Sequence, residues 1–261
     1  MLASDARAGP ADGRAPSAAT AVYLYGVVRA GSLDVISSDA VFDGRVALVE
    51  EKELAAITSR LPTDDVRVRR RDLRRHLDVL EEAFSRTTVL PCRFGTALPS
   101  TDDVRAFLTD QAGELATGLE RLEGCVQLNL TVSYDEEELM REIVARDPEI
   151  ASLREATRES GDAADAGHLR LGQLVAAAVD ADRERDATAI AEELTSLEID
   201  VAEGNAGAGA AFKGALLVRA RELSRVESQL EALAQREHPR LRFELLGPLP
   251  PTAFAAAAVE A

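Results

Sequence analysis

The sequence predicts an α+β protein, and three observations support this prediction. Several short apolar runs are either rich in β-branched residues or alternate apolar with polar side chains, as strands do. Longer segments between them place apolar residues three or four positions apart, which is typical of amphipathic helices. The 261 residues suffice for two domains of ordinary size, and 46% of them are apolar, enough to form a core.

We place an N-terminal domain at residues 21–122 and a C-terminal domain at residues 123–254. Residues 1–20 are mostly Ala, Gly, Pro, Asp, Arg and Ser. This tail is expected to be disordered, because it buries too little apolar surface to offset the entropy lost on ordering. Residues 255–261 form a second, alanine-rich tail. A monomer is expected, since the sequence has no coiled-coil heptad.

The net charge of −16 restricts the classes of partner. Such an acidic chain is repelled by nucleic-acid phosphates and by anionic lipid surfaces, and we expect neither as a partner. No apolar run reaches the ~20 residues of a membrane helix, and the N-terminus has no signal-peptide core. A cytoplasmic protein is therefore expected. The two cysteines, Cys92 and Cys125, form neither a disulfide framework nor a zinc-ligand set.

Three strands and a helix are predicted at the start of the N-terminal domain. Residues 22–28 are typical of a strand buried on both faces, in which Gly26 indicates a bulge or a close contact. Two shorter strands are predicted at residues 46–49 and 54–58. A helix is predicted over Val66–Arg86. Its apolar stripe consists of Leu73, Leu77, Leu80 and Phe84.

This helix begins with a concentration of cations that the helix dipole disfavours. The arginines are Arg67, Arg69, Arg70, Arg71, Arg74 and Arg75. One interpretation is a solvated face whose charges pair with acids elsewhere in the chain. The other is a basic patch for an acidic partner surface. His76, at the flank of the leucine stripe, is interpreted as a packed helix residue, because no second His or Cys lies at metal-ligand spacing.

The segment VLPCRFGTALPS, residues 89–100, separates two helical patterns. Its first residues end a short strand, and Pro91, which cannot donate a ladder hydrogen bond, places that strand at a sheet edge. Gly95 permits a turn with positive φ. Ser100 or the next residue caps a second helix, predicted over Asp102–Leu122.

The candidate binding residues are in the middle of this segment: Arg93, Phe94, Gly95 and Thr96. They combine one cation and one aromatic ring with a bend. One interpretation is a structural turn whose Arg93 pairs with a nearby acid. The other is a contact point for a partner protein.

The C-terminal domain is predicted to run strand, helices, strand, strand, helix, strand. Its clearest strand is at residues 126–133, where apolar and polar side chains alternate strictly. Helices are predicted over Asp135–Arg146, from Pro148 onward, over His168–Leu197 and over Glu222–Glu237. The remaining strands are predicted at residues 198–201, 212–220 and 241–245, followed by an extended exit at Gly247–Pro251. This is the split βαβ, ferredoxin-like order with helices inserted after its first strand, with helices on one side of the sheet.

Motifs for chemistry are absent from the sequence. It contains no nucleophile elbow, no P-loop and no pair of histidines or cysteines at ligand spacing. The glycines of residues 203–211 do not complete a dinucleotide fingerprint, and we interpret them as a hairpin loop. We therefore predict no catalytic residues, no cofactor and no metal, and a protein that is not an enzyme.

Five motifs, in order along the chain, carry a resemblance to a known family. They are YLYGVV, the RFGT of LPCRFGT, the alternating strand after LEGC, AFKGALLV and GPLPPTAF. Together they resemble the gas vesicle protein F/L family over residues 21–254. The F and L branches are not separable on these residues. The chain departs from the family at Gly124, Leu249, Thr252 and Ala253, where the family often has aromatic residues or a different small residue.

The resemblance implies an accessory factor in building gas vesicles, the hollow protein-walled flotation organelles of some prokaryotes. It implies contact with the small hydrophobic shell protein and with other accessory proteins, without catalysis, and location at the gas vesicle in the cytoplasm. It also implies two α+β domains, the second a modified ferredoxin-like fold. The alternative is a cytoplasmic ligand-sensing module, which rests on fold analogy. A polar pocket between the domains would favour that alternative, whereas an exposed apolar groove or sheet edge would favour the assembly role.

Overall fold

A computed structural model describes residues 21–42, 44–62, 69–160, 165–207 and 209–255. It contains two antiparallel sheets with helices packed on them, which confirms the α+β class. The predicted tail at residues 1–20, most of the tail at 255–261 and the predicted helix start at Val66 lie outside the described residues. Within the described residues, none of the helices combines the length and the apolar character needed to cross a bilayer.

The first sheet is built around its first strand. Its strands are β1 Ala21–Arg29, β2 Ala47–Glu51, β3 Leu54–Leu61, β4 Leu90–Pro91 and β5 Ala97–Leu98. The order is β2-β3-β1-β4, with β5 also pairing with β1. The register of β1 shifts between Leu24 and Gly26, so the predicted bulge is present. A Cβ atom at Gly26 would lie 2.9 Å from the Leu90 carbonyl oxygen and from Val89, so this position requires glycine.

Helix α1 spans Arg70–Phe84 and packs on this sheet with a face different from the predicted one. Its buried residues are Asp72, His76, Val79, Leu80 and Ala83. Leu73, assigned to the buried stripe from its spacing, is 46% exposed. The prediction was wrong here because Asp72 and His76 are polar but have partners inside the protein, so the buried face is centred on them.

The predicted single helix at Asp102–Leu122 is two helices, α2 Thr101–Asp110 and α3 Ala112–Leu122. Gln111 between them has φ −99° and ψ 10°, outside the helical region, which ends α2 and lets α3 begin in a new direction. The predicted cap is confirmed, since the Ser100 hydroxyl accepts a hydrogen bond from the Asp103 N–H at 3.2 Å.

The second sheet has the order β7-β8-β6-β9, with every neighbouring pair antiparallel. Its strands are β6 Cys125–Tyr134, β7 Asp200–Glu203, β8 Ala210–Arg219 and β9 Leu241–Leu249. The predicted extended exit at Gly247–Pro251 instead begins inside β9, because Leu249 still pairs with Gln127 after a register shift. The ferredoxin-like assignment of this half stays a prediction.

Four helices cover one face of the second sheet: α4 Glu136–Arg146, α5 Pro148–Ser160, α6 Asp165–Ser196 and α7 Leu223–Glu237. Their apolar side chains pack on the alternating face of β6, where Leu128, Leu130 and Val132 are at most 1% exposed. The strict alternation in this strand thus identifies the core side correctly.

The opposite face of the second sheet packs against the first half of the chain. Cys125, Ala215, Leu217 and Phe254 belong to the same hydrophobic cluster as the buried leucines of α3 and residues of β1. The halves at residues 21–122 and 123–254 therefore share a core. Their division into two domains stays a prediction.

Candidate functional site

The turn at residues 93–96 links β4 to β5 at the edge of the first sheet. Gly95 has φ +95°, the left-handed conformation that its lack of a Cβ permits. The Thr96 N–H donates to the Arg93 carbonyl at 3.1 Å and closes the turn, while the Leu24 N–H donates to the Thr96 carbonyl at 2.9 Å. The predicted bend is therefore present, and it is fastened to the central strand β1.

A buried hydrogen-bonded pair supports the turn from inside. The Gly95 N–H donates to the Tyr23 hydroxyl oxygen at 3.1 Å, and this hydroxyl lies 3.0 Å from Nδ1 of His76 on α1. Because the Gly95 N–H occupies the hydroxyl as an acceptor, the Tyr23 proton can be donated to Nδ1. The imidazole also makes a hydrogen bond to the backbone of Cys92. His76 thus links α1 to Cys92, just before the turn, and through Tyr23 to Gly95 within the turn.

Aromatic rings pack around this pair. Phe94 stands edge-on to His76, with 5.6 Å between ring centroids, and edge-on to Tyr23 at 6.3 Å. Tyr25 stacks on the other side of the imidazole at 5.5 Å, and its hydroxyl bonds to Ser59 at 3.0 Å. The aromatic member of the turn is therefore partly a core residue, and these edge-on and stacked contacts fix its position.

Burial keeps the titratable groups beneath the turn uncharged at neutral pH. It lowers the pKa of His76 to about 4, against a smaller opposing effect of the Cys92 backbone hydrogen bond. It raises the pKa of Tyr23, an effect that the Gly95 N–H only partly offsets. It also raises the pKa of the Cys92 thiol to about 12. The support of the turn is therefore a neutral hydrogen-bonded network.

The four predicted binding residues differ in exposure. Arg93 and Gly95 are exposed, while Phe94 and Thr96 are half-buried. The Thr96 hydroxyl donates to the Arg93 carbonyl at 2.8 Å, so its polar end is used inside the turn. The structure thus brings all four together on one small surface, with Arg93 as its charged member and the edge of Phe94 as its apolar member. Their assignment to partner binding stays a prediction.

Sequence reasoning missed the Tyr23–His76 pair, which joins residues 53 positions apart. It also missed a second buried polar cluster, between α4, α6 and the ends of β6 and β9. There the Tyr134 hydroxyl donates to Asp186 at 2.7 Å. Arg240 pairs with Asp186 and, at 2.8 Å, with Glu142. No sequence motif marks either cluster, because their members are far apart in the chain.

A neighbouring buried carboxylate completes this second cluster. Asp182 is fully buried, and Arg146 donates to both of its oxygens at 2.9 Å while Arg185 contacts one of them. Burial alone would raise the pKa of Asp182, but these hydrogen bonds outweigh it and hold the pKa below the usual range. This cluster joins helices within the second half and is structural in its contacts.

A polar cavity of about 580 Å³ lies where α3 meets the second sheet. Its walls carry charges of both signs, from Arg121, Asp200, Arg219, Glu222 and Arg225 among others. Arg121 pairs with Asp200 at 2.7 Å and Arg225 pairs with Glu222 at 3.1 Å, so much of this charge is already compensated. Among the residues that the structure describes, no group of three His, Cys, Asp or Glu side chains is placed to hold a metal ion.

The ordered motifs resemble the gas vesicle protein F/L family, and comparison with known families tests this resemblance. The family described as "Gas vesicle synthesis protein GvpL/GvpF" matches residues 21–256. The chain belongs to this GvpL/GvpF family.

Two curated relatives are similar in sequence. Gas vesicle protein F of Streptomyces sp. (strain CB03234) is 35% identical over 236 residues, which covers 89% of this chain and 98% of the relative. Gas vesicle protein F1 of Halobacterium salinarum (strain ATCC 700922 / JCM 11081 / NRC-1) is 27% identical over 114 residues, 42% of this chain and 54% of the relative. The similarity to the first extends over both halves of the chain.

Two solved structures are similar in fold. The crystal structure of the gas vesicle protein GvpF from Anabaena sp. PCC7120 superposes with a TM-score of 0.74 at 20% identity, covering 90% of this chain and 98% of the other. That of GvpF from Microcystis aeruginosa gives a TM-score of 0.68, also at 20% identity and with the same coverage. At this level of identity the likeness shows that the fold is shared across both sheets.

Proposed function

We propose that this chain is a non-enzymatic accessory protein of gas vesicle formation, which binds the small hydrophobic shell protein and other assembly factors through folded surfaces. Family membership over residues 21–256 supports a gas vesicle assembly role. Family membership also supports association with the gas vesicle. Binding to the shell protein is tested by the capture experiment described below.

The surface proposed for partner binding is the turn at residues 93–96. The turn at residues 93–96 is exposed at Arg93, yet it is held by Tyr23, His76 and two backbone hydrogen bonds. An exposed turn with a rigid support presents its side chains at a low entropic cost of binding. The turn at residues 93–96 is thus suited to contact a partner protein.

The proposal is tested by capture of the purified shell subunit on the immobilised full chain, comparing wild type with Arg93→Ala. Arg93 is exposed, so the variant is expected to keep its circular dichroism spectrum and unfolding temperature. We expect capture to fall several-fold, as loss of a charged contact does at an interface. A suitable control is Arg158→Ala, a 75% exposed arginine on α5 far along the chain. Capture that is equal for all three proteins would remove the turn from the interface.

The polar cavity beside α3 supports a second candidate function, the binding of a small charged ligand. A volume of about 580 Å³ is within the range of small-molecule sites, and both signs of charge line it. The ion pairs that already cross it argue against strong binding, because a ligand would have to displace them. A thermal-shift screen with charged metabolites tests this candidate, and a shift abolished by Arg219→Ala would support it.

A further inference from the structure

Helix α1, whose first turns are rich in arginine, contacts the turn at residues 93–96 in the structure. Phe94 packs edge-on against His76 of α1, with 5.6 Å between the ring centroids. Leu73 lies one helical turn before His76 and is 46% exposed.

One flank of α1 is covered by the loop between β1 and β2. The Ser37 and Ser38 N–H groups donate to the Glu82 carboxylate at 2.7–3.0 Å, and Arg75 donates to the Ala40 carbonyl at 3.4 Å. Positions 75 and 82 share a helix face, and position 71, four residues before Arg75, lies on it too. The exposed Arg71 therefore belongs to the loop flank.

The opposite flank faces the chain that leads into the turn. Leu80 and Val89 both approach Gly26, since a Cβ at Gly26 would lie 3.4 Å from the first and 2.9 Å from the second. Leu73 and Leu77 share a face with Leu80 because they precede it by seven and three residues. Leu73 is therefore on the flank of α1 along which the segment from Val89 to the turn runs.

Positive charge surrounds Leu73. Residues 69–75 contain five arginines and one acid, Asp72, and Asp72 is only 5% exposed. By helical spacing Arg70 lies one turn before Leu73 and two turns before Leu77, and Arg74 lies one turn after Arg70. The pair of Arg74 with Asp78 at 2.8 Å is solvent-exposed, and such pairs contribute little. An apolar side chain framed by arginines is thus exposed next to the turn.

We propose that Arg70, Leu73, Arg74, Arg93 and Phe94 form one binding surface, which takes an acidic segment of the shell subunit carrying an apolar side chain. The proposal deepens the function proposed above and rests on it. Charge complementarity is its basis: in a chain of net charge −16, these arginines form a cationic surface that attracts acidic groups while the rest repels them. Leu73 and the edge of Phe94 provide the apolar contact that anchors such a segment.

The test is a comparison of two charge reversals in adjacent residues of α1. Arg70→Glu changes the proposed surface, whereas Arg71→Glu makes the same change of charge on the loop flank. Both place an acid in the first helical turn, which the dipole favours. Arg71→Glu also removes the ion pair with Asp72 at 3.6 Å, so the circular dichroism spectrum and unfolding temperature of both variants are measured before their binding. The affinity of each full-length protein for the purified shell subunit is measured over a range of salt concentrations.

We expect Arg70→Glu to weaken binding about tenfold at low salt, and Arg71→Glu to weaken it by less than about twofold. Raising the salt concentration should bring the wild-type affinity toward that of Arg70→Glu, because salt screens the attraction. Leu73→Gln is expected to weaken binding several-fold without removing its salt dependence.

Equal effects of Arg70→Glu and Arg71→Glu would overturn the proposed surface, because they would reflect net charge alone. Unchanged binding by Arg70→Glu, together with weakened binding by Arg93→Ala, would overturn this inference while leaving the proposed function intact. A wild-type protein that does not bind the shell subunit would overturn the proposed function, and this inference with it.

Discussion

Two buried polar clusters among the described residues differ in charge and in what they hold. The first, Tyr23 with His76, is neutral and fixes an exposed turn against α1. The second, centred on Asp182, Asp186 and Arg240, is ionic and joins the helices of the second half to its sheet. The neutral Tyr23–His76 network thus holds a backbone turn in position. The ion pairs, whose arginines are partly exposed, instead join the helices of the second half to its sheet at the surface of the core.

The largest expected effect comes from removing a charge from the ionic cluster. Asp186→Ala leaves Arg240, whose side chain is 15% exposed, with Glu142 as its remaining carboxylate partner, and leaves the Tyr134 hydroxyl without its acceptor. We expect a loss of about 3 kcal/mol in the free energy of unfolding, measured by chemical denaturation. The control is Asp180→Ala, which removes a 71% exposed carboxylate from the same helix and should cost less than about 0.5 kcal/mol. Equal losses would show that the cluster adds no stability.

A similarly large effect is expected from acidification, and it should begin at the neutral cluster. Burial lowers the pKa of His76 to about 4, below the ~6.5 of an unfolded chain. The unfolded state therefore binds more protons in between, and stability is lost as the pH falls from about 6.5 to about 4. One pKa unit corresponds to about 1.4 kcal/mol, so this loss is about 3 kcal/mol.

The carboxylate of the ionic cluster responds at lower pH. The pKa of Asp182 is depressed, so its contribution is present above the unfolded value of about 4 and is lost below it. Chemical denaturation of wild type and His76→Gln at several pH values separates the two windows. The difference in unfolding free energy between these proteins should shrink as the pH falls from 6.5 to 4. A constant difference would contradict the buried, neutral state of His76.

A smaller effect is expected from Tyr23→Phe, which keeps the ring and removes the hydroxyl. The Gly95 N–H and His76 Nδ1 each lose a partner, at a cost of about 2 kcal/mol. Amide hydrogen exchange at Gly95 should accelerate more than exchange in α3, because the turn loses its internal support. Tyr25→Phe, which breaks the bonds to Ser59 and Val41 instead, is the matched control. An exchange rate at Gly95 that responds equally to both changes would show that the Tyr23 hydroxyl has no special role.

The smallest effect concerns the cap that follows the turn. Ser100→Ala removes the acceptor of the Asp103 N–H at the start of α2 and should cost about 1 kcal/mol. Ser100→Asn keeps an acceptor for the Asp103 N–H and a donor for the Asp103 carboxylate, which the Ser100 hydroxyl contacts at 2.6 Å. It should therefore preserve most of the stability, as thermal denaturation would show. If alanine and asparagine were equally tolerated, the cap would not contribute.

Sequence periodicity predicted the fold where a residue's environment follows from its own polarity. The alternation in β6 identified its buried face, and the apolar run of β1 identified a central strand. Periodicity failed on α1, where two polar residues are buried. Asp72 accepts a hydrogen bond from the nearby Arg69 N–H, and His76 bonds to Tyr23, which is 53 positions away in the sequence. It also failed at Gln111, a residue of ordinary helix propensity whose backbone, with φ −99° and ψ 10°, nevertheless ends α2.

The candidate site was predictable in its outer part and not in its support. Gly95 and Pro91 marked a bend at a sheet edge through their own backbone chemistry. Tyr23 and His76 support that bend, but they precede Arg93 by 70 and 17 residues in the sequence. The local sequence around the bend therefore gives no sign of them. The contact between His76 of α1 and Phe94 was hidden for the same reason.

Hydrogen exchange of the full chain, alone and with the purified shell subunit, tests most directly whether the protein acts through the surface around Arg93. We predict that the subunit slows exchange at the amides of residues 93–96 and in the first turn of α1. The amides of α5 and α6 on the far side of the second sheet should be unaffected. Slowed exchange confined to α5 and α6, with the turn unchanged, would contradict the account.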